Sequence, residues 1–241
     1  MILKKNYLLL ILMLSFFITG AVFAVNELSL GIESYIKGDY RQAVIYLNDY
    51  IKENPDNYSA YYYLGLSHIS LKDYQLAADA LEKAVELNQN NHKAYLNLGR
   101  AYYNLKKYDK SIEVLLKAEE LNANDDQIYN ILGLNYLDTN DLENAIRNFE
   151  KAVELDKANF YVLNNLGYTY ILKADYPEAI KYLELAVSYN PPVAYIYNNL
   201  AISFENTGDL EKAKYYYKKA LEIDPAYEKA KVNLSRIESK E

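Results

Sequence analysis

The chain has 241 residues, 51% of them apolar and 24% charged, and a formal net charge of −7. It contains no cysteine, which excludes disulfides, thiol nucleophiles and thiolate metal sites. The acidic balance, with no basic run beyond the N-terminus, argues against nucleic acid and anionic lipid surfaces as partners.

The first element is the opening MILKKNYLLLILMLSFFITGAVFA. Lys4 and Lys5 precede an uncharged apolar run from Tyr7 to Val25, and Val22-Phe23-Ala24 puts small residues where a signal peptidase reads. Residues 1–24 are therefore expected to be an export signal. The run is also 19 residues long, and as a helix it would reach about 28 Å, so an uncleaved membrane anchor is the alternative. In both cases the lysines stay inside and the rest of the chain lies outside the cytoplasm, in the periplasm or cell envelope. The absence of a cysteine near Ala24 excludes a lipid-modified N-terminus.

From there on one unit repeats. Gly31, Gly65, Gly99, Gly133 and Gly167 are spaced by 34 residues, each preceded by leucine, and a sixth copy reads Leu200-Ala201. Twelve residues later come Ala43, Ala77, Ser111, Ala145, Ala179 and Ala213, and seven beyond those Tyr50, Ala84, Ala118, Ala152, Ala186 and Ala220. Within one unit Tyr129, Leu132, Gly133 and Tyr136 follow helical spacing, as do Ala145, Phe149 and Ala152. Each unit is thus two amphipathic helices that must bury their faces on each other and on the next unit. Glycine costs about 1 kcal/mol of helix propensity relative to alanine, so its recurrence signals a packing need. Gly133 and Ala145 are expected to let paired helices approach. Asp39, Asp73, Asp141, Asp175 and Asp209 precede the second helices as caps, and Pro177 sits where its missing N–H is harmless. Tyr95, Tyr129, Tyr170 and Tyr197 are expected in the core.

This pattern, with prolines closing units at Pro55, Pro191 and Pro225, resembles the tetratricopeptide repeat. The resemblance implies an all-α fold: a right-handed superhelical α-solenoid of about six helix-turn-helix repeats. Residues 25–226 would hold them, at about 24–57, 58–91, 92–125, 126–159, 160–193 and 194–227. Residues 227–241 would form a capping helix, with Tyr227, Ala230, Leu234 and Ile237 on its inner stripe.

No catalytic constellation is present: no H-E-x-x-H, no Gly-rich phosphate loop and no G-x-S-x-G. Of the two histidines, His68 occupies a core-facing slot and His92 an exposed unit boundary. Most carboxylates sit on second helices beside a base, as in Glu143 with Arg147 and Glu178 with Lys181, and read as solvated faces. No cofactor or metal is expected. An enzymatic reading would have to rest on a carboxylate such as Asp138 or Glu205.

The first helices carry a second pattern. Asn130, Asn164 and Asn198 recur every 34 residues, with Asn97, Asn165 and Asn199 in the adjacent slot. Tetratricopeptide proteins line a concave groove with these slots, so the resemblance implies an asparagine ladder. A carboxamide both donates and accepts, matching a peptide backbone; the alternative is that it only fixes helix packing. Tyr161, Tyr168 and Tyr195 flank the ladder, with Tyr62, Tyr63 and Tyr103 nearer the N-terminus. Lys93 and Arg100 are the only bases in the groove, too few for a clamp on an acidic tail. The expected function is a non-enzymatic scaffold of the bacterial cell envelope that binds an extended peptide or a partner helix. The expected groove residues are Asn97, Arg100, Asn130, Asn164, Asn165, Tyr168, Asn198 and Asn199. The competing reading is a membrane-anchored spacer that self-associates through tyrosines on its convex side, in a pilus, secretion, outer-membrane or polysaccharide-export assembly.

Overall fold

The computed structural model describes residues 27–239, so the export signal expected at 1–24 lies outside the described residues. Within them every regular element is an α-helix. The chain divides into two compact units, meeting in sequence at Leu121 and Asn122. In the first, α1 covers residues 27–36, followed by α2 (Tyr40–Glu53), α3 (Tyr58–Leu71), α4 (Tyr74–Leu87), α5 (His92–Asn104) and α6 (Tyr108–Leu121). The second holds α7 (Asp126–Asp138), α8 (Leu142–Leu155), α9 (Phe160–Leu172), α10 (Tyr176–Ser188), α11 (Ala194–Asn206), α12 (Leu210–Ile223) and α13 (Glu228–Glu238). Odd-numbered helices are the first of each pair and even-numbered ones the second. Inside each unit a helix packs on its pair mate and on the next pair, and first helices also touch: α3 on α5, α7 on α9, α9 on α11.

The glycines create the room for this pairing. A Cβ added at Gly65, Gly99 or Gly167 would lie 2.5 Å from Cγ of Leu81, Leu115 or Leu183. At Gly133 it would lie 2.6 Å from two ring carbons of Phe149. The space beside each glycine is thus filled by a large side chain sixteen positions on, a neighbour the small-residue pattern alone did not name. Leu81, Leu115, Phe149 and Leu183 are fully buried. The slot at twelve is still tight: Ser111 Oγ donates to the Gly99 carbonyl at 2.8 Å. In the sixth pair Ala201 replaces glycine, and Tyr217 is the buried side chain at the slot sixteen residues on.

Between the helices of each pair the backbone turns left-handed at one repeating slot. It holds Gly38, Lys72, Lys106, Asn140, Ala174 and Gly208, with φ between 57° and 87°. Glycine adopts this conformation without strain; the four other residues do not. Asp39, Asp141, Asp175 and Asp209 cap the helices that follow, accepting from Gln42, Asn144, Glu178 and Lys212 backbone N–H groups. Pro177 lies in the first turn of α10. Asp73 departs from the expectation and makes no cap bond. Its carboxylate instead lies 3.6 Å from Nδ1 of the buried His68, which replaces a tyrosine of the pattern. The first helices are capped as well, by Asn57, Asn91, Asp125 and Asn159. Tyr129 and Tyr197 are buried as expected, whereas Tyr95 and Tyr170 are half-buried. His92 is also half-buried, in the first turn of α5.

The array ends on α13, which stands where a seventh first helix would. Ala230 and Ile237 face inward and are buried, while Lys229, Lys231, Ser235 and Arg236 face solvent. Glu205 fastens this end: Arg236 binds its carboxylate through both terminal nitrogens and Tyr217 donates to it at 2.8 Å. Burial, then the Glu205 hydrogen bond, pushes the Tyr217 phenol well above its ordinary value.

Candidate functional site

The two units present the expected residues differently. In the first unit Asn97 is 8% exposed. Its amide donates to the Lys93 carbonyl at 2.7 Å and its oxygen accepts from Arg100 at 3.3 Å. Asn97 therefore ties Arg100 to α5. Beside them Tyr35, Tyr62 and Tyr63 form a ring cluster with centroids 5.4 and 5.5 Å apart. Burial raises the Tyr62 phenol, then the phenols of Tyr35 and Tyr63 raise it further; Arg100 and Asn97 oppose the shift.

In the second unit the expected asparagines come together, and they bind one another. Asn165 Nδ2 donates to Asn130 Oδ1 at 3.3 Å, and Asn199 Nδ2 donates to Asn164 Oδ1 at 2.9 Å. A third rung, from Asn233 to Asn198 at 3.3 Å, joins α13 to α11. Sequence reasoning missed Asn233, although it stands 34 residues after Asn199. The ladder thus runs from first helix to first helix. Asn164 and Asn198 are 5% and 2% exposed, so their carboxamides serve the inter-helix contact and present little surface.

Beside the ladder α9 exposes an apolar stripe. Tyr161, Asn165, Tyr168 and Leu172 fall on one stripe of α9 by their spacing of four, seven and eleven residues. Tyr161 is 51% exposed, Tyr168 39% and Leu172 47%, with Tyr195 on α11 at 38%; on α13 the corresponding slots hold exposed Lys229 and Arg236. Tyr195 belongs with Tyr161: its phenol is raised by burial first and by Tyr161 second. Isolated exposed apolar side chains are ordinary on proteins, but several along adjoining helices form a patch.

The second helices differ. Lys83–Glu86, Lys117–Glu120, Lys151–Glu154 and Lys219–Glu222 pair three residues apart at one repeating slot. Glu178 pairs with Lys181 as expected. Glu143 does not pair with Arg147; Lys173 holds it at 2.9 Å and lowers its carboxyl, while Arg147 donates to Asn144. The convex-side tyrosines of the competing reading are represented by Tyr189 and Tyr215, 42% and 54% exposed. Glu205, one of the two carboxylates an enzymatic reading would need, is held by Arg236 and Tyr217. Among the described residues no group of three His, Cys, Asp or Glu could hold a metal ion, and no helix is long and apolar enough to cross a membrane.

Paired helices at a fixed period, with each glycine admitting a large neighbour, define an all-α repeat solenoid. Residues 35–155 match the family model of the cytochrome c-type biogenesis protein H TPR domain, and residues 159–226 match a tetratricopeptide-repeat model. The chain belongs to the tetratricopeptide-repeat family. No curated protein matches it. Among solved structures it is similar to Pseudomonas aeruginosa PilF, at 19% identity and a TM-score of 0.75, over 91% of this chain and 98% of that one. It is also similar to a chain of the APC/C hetero-tetramer Cut9–Hcn1, at 24% identity and a TM-score of 0.72. That match covers 89% of this chain but spans only 42% of the other. MamA matches at 26% identity and a TM-score of 0.63, over 67% of this chain and 94% of its own. The first two likenesses show the fold alone. Tetratricopeptide families bind proteins or peptides and are generally not catalytic.

Proposed function

We propose that this chain is a non-enzymatic scaffold of the bacterial cell envelope that holds a segment of another protein on its first helices. The observation that carries the reading is the run of exposed apolar side chains on adjoining first helices of the second unit. Tyr161, Tyr168 and Leu172 lie exposed along α9 and Tyr195 on the adjoining α11; second helices expose Leu185, Leu210 and Tyr215 as well, but interspersed with ion pairs such as Lys151–Glu154 and Lys219–Glu222. Aromatic side chains combine large buried area with little rotamer entropy and dominate binding surfaces. Export is supported by Lys4, Lys5, the apolar run to Val25 and the small residues before it.

The match of residues 35–155 to the cytochrome c-type biogenesis protein H repeat domain favours one particular envelope assembly, that of c-type cytochromes. Deleting the gene should then remove c-type cytochromes from the envelope while other membrane proteins persist.

The scaffold reading is tested by affinity capture from envelope extracts with wild-type and Tyr168→Lys baits in parallel. A protein held by the wild type and lost by the variant is expected. Identical captures by both baits would put the binding surface elsewhere. Fractionation tests export: the repeats belong outside the cytoplasm, and recovery of the protein from cytosol alone would remove that part.

A further inference from the structure

We propose that the second unit carries a pocket for an uncharged sugar ring where the end of α10 meets α11 and α12. The site goes beyond the scaffold reading and does not depend on it, since only Tyr197 in its wall comes from a first helix. The cavity measures about 430 Å³, within the range of about 300–1,000 Å³ usual for small-molecule sites.

Two departures from the repeat meet there. The first is in the backbone. Asn54, Asn88, Asp156 and Asp224 hold one slot after their second helices and are extended, with φ between −131° and −141°. Asn190 holds the same slot after α10 and is left-handed, at φ 51°. Its N–H turns back to the Val187 carbonyl at 2.9 Å, and these two residues form the loop side of the cavity. The second departure is in the side chains. Asp79, Glu113, Arg147 and Lys181 share one slot in α4, α6, α8 and α10; α12 has Tyr215 there. Tyr215 is 54% exposed and stands at 80° to Tyr216, with ring centroids 5.0 Å apart. Tyr216 in turn stacks on Phe204.

The wall selects by chemistry. Among the described residues, the Tyr197, Tyr215 and Tyr216 hydroxyls and the Asn190 carboxamide have no hydrogen-bond partner. Burial raises the Tyr197 phenol, Lys219 lowers it and Tyr215 raises it again, so these polar heads lie close together. Each such hydroxyl or carboxamide both donates and accepts, and needs a partner once a ligand displaces water. The ionised groups of the wall, Lys219 and Glu222, bond to each other at 2.7 Å. An anion would therefore meet Glu222 and a cation Lys219. A sugar ring answers the whole set: hydroxyls around its rim that donate and accept, and a C–H face to lie on Tyr215 beside Ile223. An extended peptide brings one N–H and one C=O about every 3.3 Å and turns them to alternate sides. In a cavity of this size it would leave most of the phenols unbonded.

The test applies the full-length chain to an array of neutral hexoses and N-acetylhexosamines, uronic acids, amino sugars and short peptides. Each sugar is offered as a single ring and at the end of an oligosaccharide. Binders are titrated against wild type, Tyr215→Glu and Tyr197→Phe, with the fold checked by circular dichroism. Tyr215→Glu restores a charge that this slot carries in four other helices, and Tyr197→Phe removes one oxygen, so both are expected to fold. Neutral sugars are expected to bind. Affinity should fall about tenfold or more on Tyr215→Glu, which removes the ring face, and about twofold to tenfold on Tyr197→Phe. Equal affinity for ring and oligosaccharide would identify a free sugar as the ligand, and preference for the oligosaccharide a glycan end; either supports the site. Preference for charged sugars would overturn the charge argument and the proposal with it. Peptides that bind in place of sugars and are lost on both variants would make the cavity a peptide site. Sugar binding that ignores both variants, or no binding at all, would remove the pocket.

Discussion

Replacing Gly133 with alanine sets two effects of opposite sign against each other. On helix propensity alone Gly133→Ala should stabilise α7 by about 1 kcal/mol. The added methyl, however, would sit 2.6 Å from Cδ1 and Cε1 of Phe149 and 2.9 Å from its Cζ. Carbon atoms rest about 3.5–4.0 Å apart, so the ring must retreat by roughly 1 Å. Phe149 is fully buried and has no open side to move into. Overpacking of this kind costs about 1–3 kcal/mol, so the net expectation is a loss of up to about 2 kcal/mol. The assay is urea unfolding followed by helical ellipticity. Two companions sharpen it. Ala201→Gly, at the slot where alanine is native, should lose about 1 kcal/mol, because nothing there needs relief. Gly133→Ala combined with Phe149→Ala should cost less than the sum of the two single changes, since removing the ring removes the clash. A higher midpoint for Gly133→Ala, or strict additivity in the double variant, would refute the packing argument.

Other outcomes follow from the same geometry. Ala174 sits at φ 59°, so Ala174→Gly should raise stability by about 1 kcal/mol despite adding backbone freedom; a lower unfolding midpoint would contradict that. Asn199→Ala leaves the Asn164 oxygen, in a residue only 5% exposed, without its donor. It should cost about 1–3 kcal/mol, and unchanged thermal stability would mean the ladder does not join the helices. Burial pushes the Tyr58 phenol up to about 12 and raises those of Tyr102, Tyr170 and Tyr217 as well. A phenol whose folded pKa exceeds the ordinary 10.0 favours the folded state at lower pH. That contribution is complete below pH 10 and is lost as pH rises through the folded value, because the unfolded chain gives up its protons first. Helicity should therefore fall between about pH 10 and 12 together with the ultraviolet signal of tyrosinate; ionisation near pH 10 with helicity intact would be contrary.

The period and the pairing were legible because they rest on residue size. Leu-Gly followed by small residues at fixed distances leaves two helices per unit as the only arrangement that buries every stripe. The identity of the glycine's neighbour was less legible: Phe149 and Ala145 lie on the same helix face one turn apart, and only geometry decides which fills the gap. The left-handed slot was hidden because Lys72, Lys106, Asn140 and Ala174 share no chemistry, only a backbone angle; Gly38 and Gly208 were the available clue. The asparagines were found by their spacing, but the direction of a carboxamide is not written in its spacing. Whether it meets a ligand or the next helix depends on how closely α7, α9, α11 and α13 stack. The exposed stripe of α9 was half seen, through Tyr161 and Tyr168. Leu172 was missed because leucine at helical spacing reads as core.

The central claim is that partners are held by the first helices of the second unit. Its most direct measurement is photo-crosslinking in living cells from a reactive side chain placed at Tyr168, compared with the same group at Glu154 on the second helix α8. A discrete adduct with one partner protein from position 168, and none from position 154, is predicted. An adduct from position 154 alone, or from both positions equally, would contradict the account.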